Sequence, residues 1–168
     1  MKLYITGYGE SGKDVAAEYI QEQTGMSFTA SSFFMCNHFI FDALRRTYGY
    51  STPEECFEDR RNHRDEWAAL ITAFNQNDRT KLARMIFEMH DCYVGIRRFE
   101  ELEAGKKEFN CLVVWIEAGN RVKPEPTSSM TVTKEQADII VRNETTLEDF
   151  YINLDKFIKT YLDPPSSP

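Results

Sequence analysis

A glycine-rich turn near the amino terminus has the residue types and the spacing of a loop that binds phosphate. Gly7, Gly12 and Lys13 follow the pattern G-x-x-x-x-G-K, and Asp14 comes next. Glycines let the backbone turn its N–H groups toward one centre, and a helix that starts there directs further N–H groups to the same point. The Lys13 ammonium adds positive charge for phosphate oxygens. The turn therefore predicts a polyphosphate site made by Gly9, Glu10, Ser11, Gly12, Lys13 and Asp14.

The flanking sequence separates this interpretation from an ordinary turn between a strand and a helix. A short apolar strand begins at Leu3, and an amphipathic helix with Val15 and Ile20 on one face runs to Thr24. Because both flanking elements are present, we favour the phosphate loop.

Asp14 stands where such loops commonly carry a Ser or Thr that binds Mg²⁺. A carboxylate is a hard, charged oxygen ligand, so Asp14 is the candidate metal ligand, directly or through water. The alternative is that Asp14 only caps the helix start. We favour the metal role, because another negative charge beside a polyphosphate is unfavourable without a cation.

Two arginines are candidates for a second anion site. The segment from Pro53 to Asn75 predicts one helix, whose buried stripe includes Trp67 and Leu70. Projected backwards, the stripe passes through Arg64 and Arg60, which predicts inward guanidinium groups for an arriving phosphate. The alternative is a solvated charged face, on which these arginines pair with Asp59, Asp65 or Glu66.

Arg97 and Arg98 follow an apolar strand, Cys92–Ile96. In an open parallel sheet, ligands collect outside the carboxyl ends of the strands. We therefore expect Arg97 or Arg98 close to the phosphate loop.

Three other residues belong to the candidate site. The stretch from Gly119 to Thr131 has no periodicity and predicts a mobile lid loop, in which Arg121 is either a lid cation or a surface residue. Ser32 and Asn37 follow the second predicted strand. They are candidates for contacts to a substrate base, with capping or packing as the alternative.

Strands and helices alternate along the chain. Apolar runs predict strands that begin at Leu3 and then lie at Met26–Ala30, Cys92–Ile96, Cys111–Ile116 and Ala137–Val141. Further helices are expected from an N-cap at Ser31–Ser32, after a cap at Asn77–Asp78, from Phe99 to Lys106, and after a capping box at Thr145–Glu148. The pattern predicts an α/β fold in three layers, with a mainly parallel sheet and helices on both faces.

Composition limits the class of protein. The 168 residues predict one domain over 1–163, with 164–168 as a disordered tail. A net charge of -7 argues against binding to a nucleic-acid polymer. No apolar run predicts a signal peptide or a membrane span, so we expect a cytoplasmic protein. The scattered cysteines Cys36, Cys56, Cys92 and Cys111 predict reduced, mostly buried thiols, and an aromatic content of 13% permits a homodimer without requiring one.

Four stretches resemble the P-loop deoxynucleoside monophosphate kinases of bacteriophages, which are similar to animal-type phosphomevalonate kinases. They are Gly7–Asp14, Arg64 in its Trp-containing helix, Gly95–Arg97 before an acidic helix, and Ile139–Asn143 leading into Thr146–Asp149. Together they span most of the chain, and the first and last are the most specific.

The resemblance implies an adenylate-kinase-like P-loop kinase fold and transfer of the ATP γ-phosphoryl group to a nucleoside monophosphate. It implies that Lys13 and the loop amides hold the donor phosphates and that Asp14 helps to place Mg²⁺. It further implies that Arg142 and Asn143 flank the donor base. The compartment would be the cytoplasm, of the host cell for a viral protein.

On the acceptor side, the resemblance implies that Arg64 and Arg97 neutralise the acceptor phosphate or the moving phosphoryl group. Arg121 would act from the lid. One position departs from the relatives, because Gly95 stands where they tend to have Asp. Asp91 would lie at the wrong end of that strand, so Glu117 is the candidate to organise metal-bound water instead.

Two other functions stay open at this stage. A kinase for another phosphorylated metabolite, such as phosphomevalonate, would use the same residues. A nucleotide-binding regulator that hydrolyses ATP poorly would need the phosphate loop but not the inward arginines. The N/T-K-x-D base-reading motif expected of a GTPase does not occur in the sequence.

Overall fold

A parallel sheet organises the chain. The computed structural model describes residues 1–162, with strands β1 Lys2–Thr6, β2 Phe28–Ala30, β3 Cys92–Val94, β4 Cys111–Glu117 and β5 Ile139–Arg142. The strand order is β2-β3-β1-β4-β5, and each neighbouring pair is parallel. The carboxyl ends therefore lie at one edge of the sheet, where the phosphate loop leaves β1. The predicted five-stranded sheet is confirmed.

Helices cover both faces of the sheet. They are α1 Lys13–Thr24, α2 Ser31–Met35, α3 Phe41–Tyr48, α4 Pro53–Asp59, α5 Arg64–Phe74, α6 Lys81–Met89, α7 Phe99–Phe109 and α8 Leu147–Phe157. Successive side chains of β1 pack on opposite faces of the sheet, as expected for a strand. Leu3 and Ile5 pack with α1 and α8, whereas Tyr4 packs with the apolar side chains of α2 to α7.

The segment predicted as one helix from Pro53 to Asn75 is interrupted, so that prediction is wrong. Its start is as predicted, with Pro53 in the first turn. Helix α4 then ends at Asp59, a 3₁₀ turn covers Arg60–Asn62, and α5 begins at Arg64.

Local polar contacts account for the break. The Asp59 carboxylate accepts a hydrogen bond of 2.6 Å from Asn62 Nδ2 and lies 3.0 Å from His63 Nε2. Such contacts compete with the helical hydrogen-bond ladder. The backward projection of the buried stripe is therefore wrong for Arg60, because the helix that carries Trp67 begins only at Arg64. It is wrong for Arg64 as well, because that side chain lies on the helix but faces solvent. Arg64 is exposed, and Arg60 is half-buried.

Helix starts differ from the predicted ones in three places. Ala30, not a serine, is the N-cap of α2, and Ser31 instead donates a 3.3 Å hydrogen bond to the carbonyl of Gly95. Thr80 is the N-cap of α6. Thr146, one residue later than predicted, caps α8 and accepts a hydrogen bond from the Asp149 amide.

The prediction for the cysteines agrees with the structure. Cys36, Cys56 and Cys92 are buried and Cys111 is half-buried, all as free thiols. Over residues 1–162, no helix has the length and apolar character needed to cross a bilayer. The predicted tail at 164–168 lies outside the described residues.

Candidate active site

The phosphate loop is pressed against the ends of β4 and β5. Gly7 has a φ of +147°, and a Cβ at this position would lie 2.7 Å from the carbonyl oxygen of Ile116. Gly12 has a φ of +99°, and its Cβ would lie 2.5 Å from Nδ2 of Asn143. Both glycines are therefore favoured by the backbone angle and by a close neighbour, which is the backbone of β4 at Gly7 and the Asn143 side chain at Gly12.

Lys13 folds back into the loop. Its ammonium donates hydrogen bonds of 2.9 and 2.7 Å to the carbonyls of Gly7 and Tyr8. The pKa of Lys13 is lowered to about 8, first by burial and then by the charge of Arg97, while Asp14 and Glu125 oppose the shift. The ammonium is thus held at the centre of the loop, where phosphate oxygens would replace the carbonyls as partners.

The middle of the loop contributes backbone groups. Glu10 is exposed and has a φ of +63°, which is uncommon for a residue other than glycine. Ser11 is only 1% exposed, and within the described part of the chain its hydroxyl has no hydrogen-bond partner. The predicted contribution of this stretch therefore lies in its main-chain amides.

Glu125 links Arg97 to the phosphate loop. The Gly9 amide donates a 2.7 Å hydrogen bond to Glu125 Oε1, and Nη1 of Arg97 forms an ion pair with Oε2. Burial alone would raise the pKa of Glu125, but Arg97, the Gly9 amide and Lys13 outweigh it and hold that pKa below its usual value. Arg97 therefore lies beside the loop, whereas Arg98 donates to the carbonyl of Ser128 at 3.0 Å.

Glu125 was not identified from the sequence. It is a single acidic residue between Pro124 and Pro126, in a stretch without periodicity. The two prolines indicate a stiff, extended tip, which is the one local signal that a side chain is presented there.

Arg60 is held against Phe57. Its guanidinium stacks 3.9 Å from the centre of the Phe57 ring and donates to the Phe57 carbonyl at 2.8 Å. Its pKa is lowered by burial and by the charges of Arg61 and Arg64, and the Asp14 carboxylate opposes this shift. Arg60 is therefore within electrostatic reach both of the loop and of Arg64.

The acidic residues expected beside these arginines have other partners. Asp59 pairs with His63 at 3.0 Å, and Glu66 accepts a 2.6 Å hydrogen bond from the hydroxyl of Tyr48. The solvated charged face, as set out from the sequence, is thus not formed with Asp59 or Glu66.

Asn143 joins β5 to the loop. Its Nδ2 donates to the carbonyl of Ser11 at 2.9 Å, and its own carbonyl accepts hydrogen bonds of 3.0 and 2.6 Å from Arg121. Arg142 is exposed and pairs with Glu144 at 3.2 Å. Asn143 and Arg121 therefore belong to the loop assembly, and the Arg142 guanidinium is engaged outside it.

The two candidates for base contacts lie on α2 and on the π-helical turn Cys36–Ile40 that follows it. Ser32 is half-buried, and Asn37 is exposed and donates to the carbonyl of Phe33 at 2.9 Å. The sequence did not single out Phe33, whose ring is 48% exposed and lies edge-on to Phe57 at 5.4 Å.

A magnesium ion would find one well-placed ligand from the chain. Asp14 is exposed in the first turn of α1, where Gly12 is the N-cap and no side chain caps the helix by a hydrogen bond. Within residues 1–162, no three His, Cys, Asp or Glu side chains are grouped to hold a metal. Asp14 therefore fits a metal whose remaining ligands come from bound phosphate and water.

The other carboxylates considered for this role are engaged. Glu117 accepts a 2.9 Å hydrogen bond from the Gly119 amide and lies 3.5 Å from Lys134 Nζ. Asp91 pairs with Lys2 at 3.3 Å. That contact lies at the amino end of β1 and β3, opposite the phosphate loop.

Comparison with known proteins places the fold. No family model and no curated protein sequence matches the chain. Shikimate kinase from Bacteroides thetaiotaomicron has a TM-score of 0.55 at 10% identity, over 98% of this chain and 99% of that chain. Shikimate kinase from Aquifex aeolicus vf5 has a TM-score of 0.51 at 15% identity, over 98% of this chain and 100% of that chain. Dephospho-CoA kinase from Campylobacter jejuni has a TM-score of 0.52 at 15% identity, over 95% of this chain and 96% of that chain.

These structural matches confirm the predicted fold class. The chain has the three-layer α/β fold of P-loop kinases, with the phosphate loop between β1 and α1. At such low sequence identity the likeness concerns the fold, and the reaction has to be argued from the site.

Proposed function

We propose that this protein transfers the γ-phosphoryl group of ATP to a nucleoside monophosphate, with deoxynucleotides as the first choice of acceptor. One observation carries the proposal. The Gly9 amide and the Arg97 guanidinium hold one carboxylate between them, within reach of the Lys13 charge. A loop amide and two cations that share one anion form a site suited to a phosphoryl group in transfer.

The charges around this point match what phosphoryl transfer requires. Two phosphates must be held in line while their mutual repulsion is offset. Lys13 and the loop amides would hold the donor, Arg97 the group in transfer, and Arg60 with Arg64 the acceptor phosphate. Mg²⁺, when bound, would neutralise charge on the donor phosphates, with Asp14 as the chain's own ligand to it. This scheme requires no general base, and we assign none.

Aromatic side chains support an acceptor that carries a base. Phe33 is exposed at the carboxyl end of β2, edge-on to the Phe57 ring on which Arg60 stacks. A planar base can stack on an exposed ring while its phosphate meets the neighbouring guanidinium. Phosphomevalonate offers no such plane, which is why we place it second.

A turnover assay tests the proposal. The purified protein would be given Mg-ATP with the common deoxynucleoside and ribonucleoside monophosphates and with phosphomevalonate, and ADP and the phosphorylated product would be measured. We expect a diphosphate from at least one nucleotide. ADP with phosphomevalonate alone would favour the other metabolite class, and no ADP with any acceptor would reject a kinase.

Two lysine variants control the assay. Lys13→Ala should lose turnover, because it removes the ammonium at the centre of the loop. Lys107→Ala removes an exposed lysine of α7 and should keep full turnover. Thermal melting of both variants shows whether they fold.

A further inference from the structure

The segment between Gly119 and Thr131 is tied down at both ends. At one end, Arg121 donates to the carbonyl of Asn143 at 2.6 Å. At the other, the amides of Thr131 and Val132 donate to the carbonyl of Arg97 at 2.9 and 3.1 Å, and Val132 is buried. Arg98 also holds the carbonyl of Ser128 at this end. Residues 122–127 form the part between these anchors, so their tip can shift while both anchors stay in place.

Glu125 lies at this tip and acts as an internal anion of the site. Its carboxylate binds the Gly9 amide and Arg97, and Lys13 stabilises its charge. Ser129 adds a long hydroxyl hydrogen bond of 3.4 Å to Oε2. The side chain is only 21% exposed, so a second anion cannot take the same position, between the Gly9 amide and Arg97, without strong repulsion.

The strand order shows which phosphate would meet Glu125. Asn143 follows β5 and Arg97 follows β3, and these strands lie on opposite sides of β1 and its loop. A nucleotide whose base lies on the Asn143 side therefore extends its phosphates toward Arg97. In that orientation the last phosphoryl group of a triphosphate would be the one to meet the Glu125 carboxylate at the Gly9 amide and Arg97, and a diphosphate would end before it.

We propose that Glu125 makes the site prefer ADP over ATP, because its carboxylate occupies the subsite of the terminal phosphoryl group. ADP and the Glu125 carboxylate share the site, whereas ATP has to displace that carboxylate from Gly9 and Arg97. This inference rests on the proposed function only in that the loop binds a nucleotide with its base on the Asn143 side. It requires no particular acceptor.

Calorimetric titration with ADP and with the non-hydrolysable ATP analogue AMP-PNP, both with Mg²⁺, tests the inference. Glu125→Gln keeps the shape of the side chain and removes its charge, and Glu125→Ala removes the carboxylate altogether. Both variants should bind AMP-PNP about tenfold tighter than the wild type, with little change in ADP affinity. The reason is that AMP-PNP no longer has to break the charge-assisted contacts of Glu125 with the Gly9 amide and Arg97. Glu88→Gln, an exposed residue of α6, removes the same charge and should change neither affinity.

Other outcomes contradict the inference, the proposed function or both. An equal change for both nucleotides means that Glu125 acts only through general repulsion. A loss of AMP-PNP affinity means that Glu125 positions Arg97 for the phosphate. If neither nucleotide binds the wild type or the variants, the proposed function fails as well. If the ratio of AMP-PNP to ADP affinity shifts as expected while no acceptor is phosphorylated, only the proposed function fails.

Discussion

The side-chain amide of Asn143 donates a 2.9 Å hydrogen bond to the carbonyl oxygen of Ser11, across 132 positions of the chain. The backbone amide of Asn143 donates a 2.7 Å hydrogen bond to the carbonyl of Glu117, and Arg121 donates to the carbonyl of Asn143. The phosphate loop is therefore attached to the ends of β4 and β5 through one residue. This contact holds the loop in shape before any ligand arrives.

Asn143→Ala should weaken nucleotide binding, because the loop loses its attachment to β5. We expect about a tenfold loss of ADP affinity and a fall of about 1 kcal/mol in the free energy of unfolding. Asn153→Ala is the matched control, since it removes a 3.0 Å hydrogen bond to Arg142 without touching the loop. Calorimetry and denaturant unfolding check both, and equal losses of ADP affinity would contradict the role of Asn143.

Gly12→Ala should weaken nucleotide binding. The added Cβ would lie 2.5 Å from Asn143 Nδ2, on a backbone with a φ of +99°. Gly49→Ala is the control, because Gly49 has a φ of +74° but nothing within 4 Å of the added Cβ. The control should lose about 1 kcal/mol of stability from backbone strain and keep its turnover. Equal nucleotide affinities in the two variants, measured by calorimetry, would show that the contact with Asn143 is unimportant.

Nucleotide affinity should fall with rising pH, because Lys13 has a pKa of about 8 in the empty site. A bound phosphate keeps this lysine charged to higher pH, so binding takes up a proton above the pKa of the empty site. Between about pH 7.5 and about pH 9 we expect a fivefold to tenfold loss, roughly, of ADP affinity. Lys107→Ala should show the same loss, and a constant ADP affinity in calorimetry would contradict the lowered pKa.

The same shift has an opposite effect on stability. Between the pKa of about 8 in the folded protein and the ordinary value of 10.5, the unfolded chain holds more protons at Lys13 than the folded one. The unfavourable contribution of a buried ammonium is fully present below the lower value. It is relieved as the pH rises through this window, so this group stabilises the fold with increasing pH.

Arg60→Ala should impair the acceptor side. Removal of this guanidinium, which lies within electrostatic reach of Asp14 and Arg64, should raise the KM for the acceptor by about tenfold or more and leave the KM for ATP nearly unchanged. Arg61→Ala removes the adjacent exposed arginine and serves as control. Steady-state kinetics with each substrate varied in turn distinguish the two sites. A change confined to ATP would assign Arg60 to the donor.

The strands and the loop were predictable because their signals are local. Uniform apolar runs predicted β1, β3 and β4, and the glycine spacing predicted the turn between β1 and α1. The place of Arg97 after a parallel strand was enough to expect it at the carboxyl edge. The helix over Pro53–Asn75 failed, because periodicity could not reveal that Asp59 binds side chains of the next turn.

The sequence by itself determined the phosphate loop, the alternation of strands and helices and the cations available to the site, since each depends on residues close together in the chain. The tertiary structure alone decided that Asn143 attaches to Ser11 and that Glu125 binds the Gly9 amide. These contacts join distant segments. No local spacing encodes them, because the packing of the parallel strands sets their geometry.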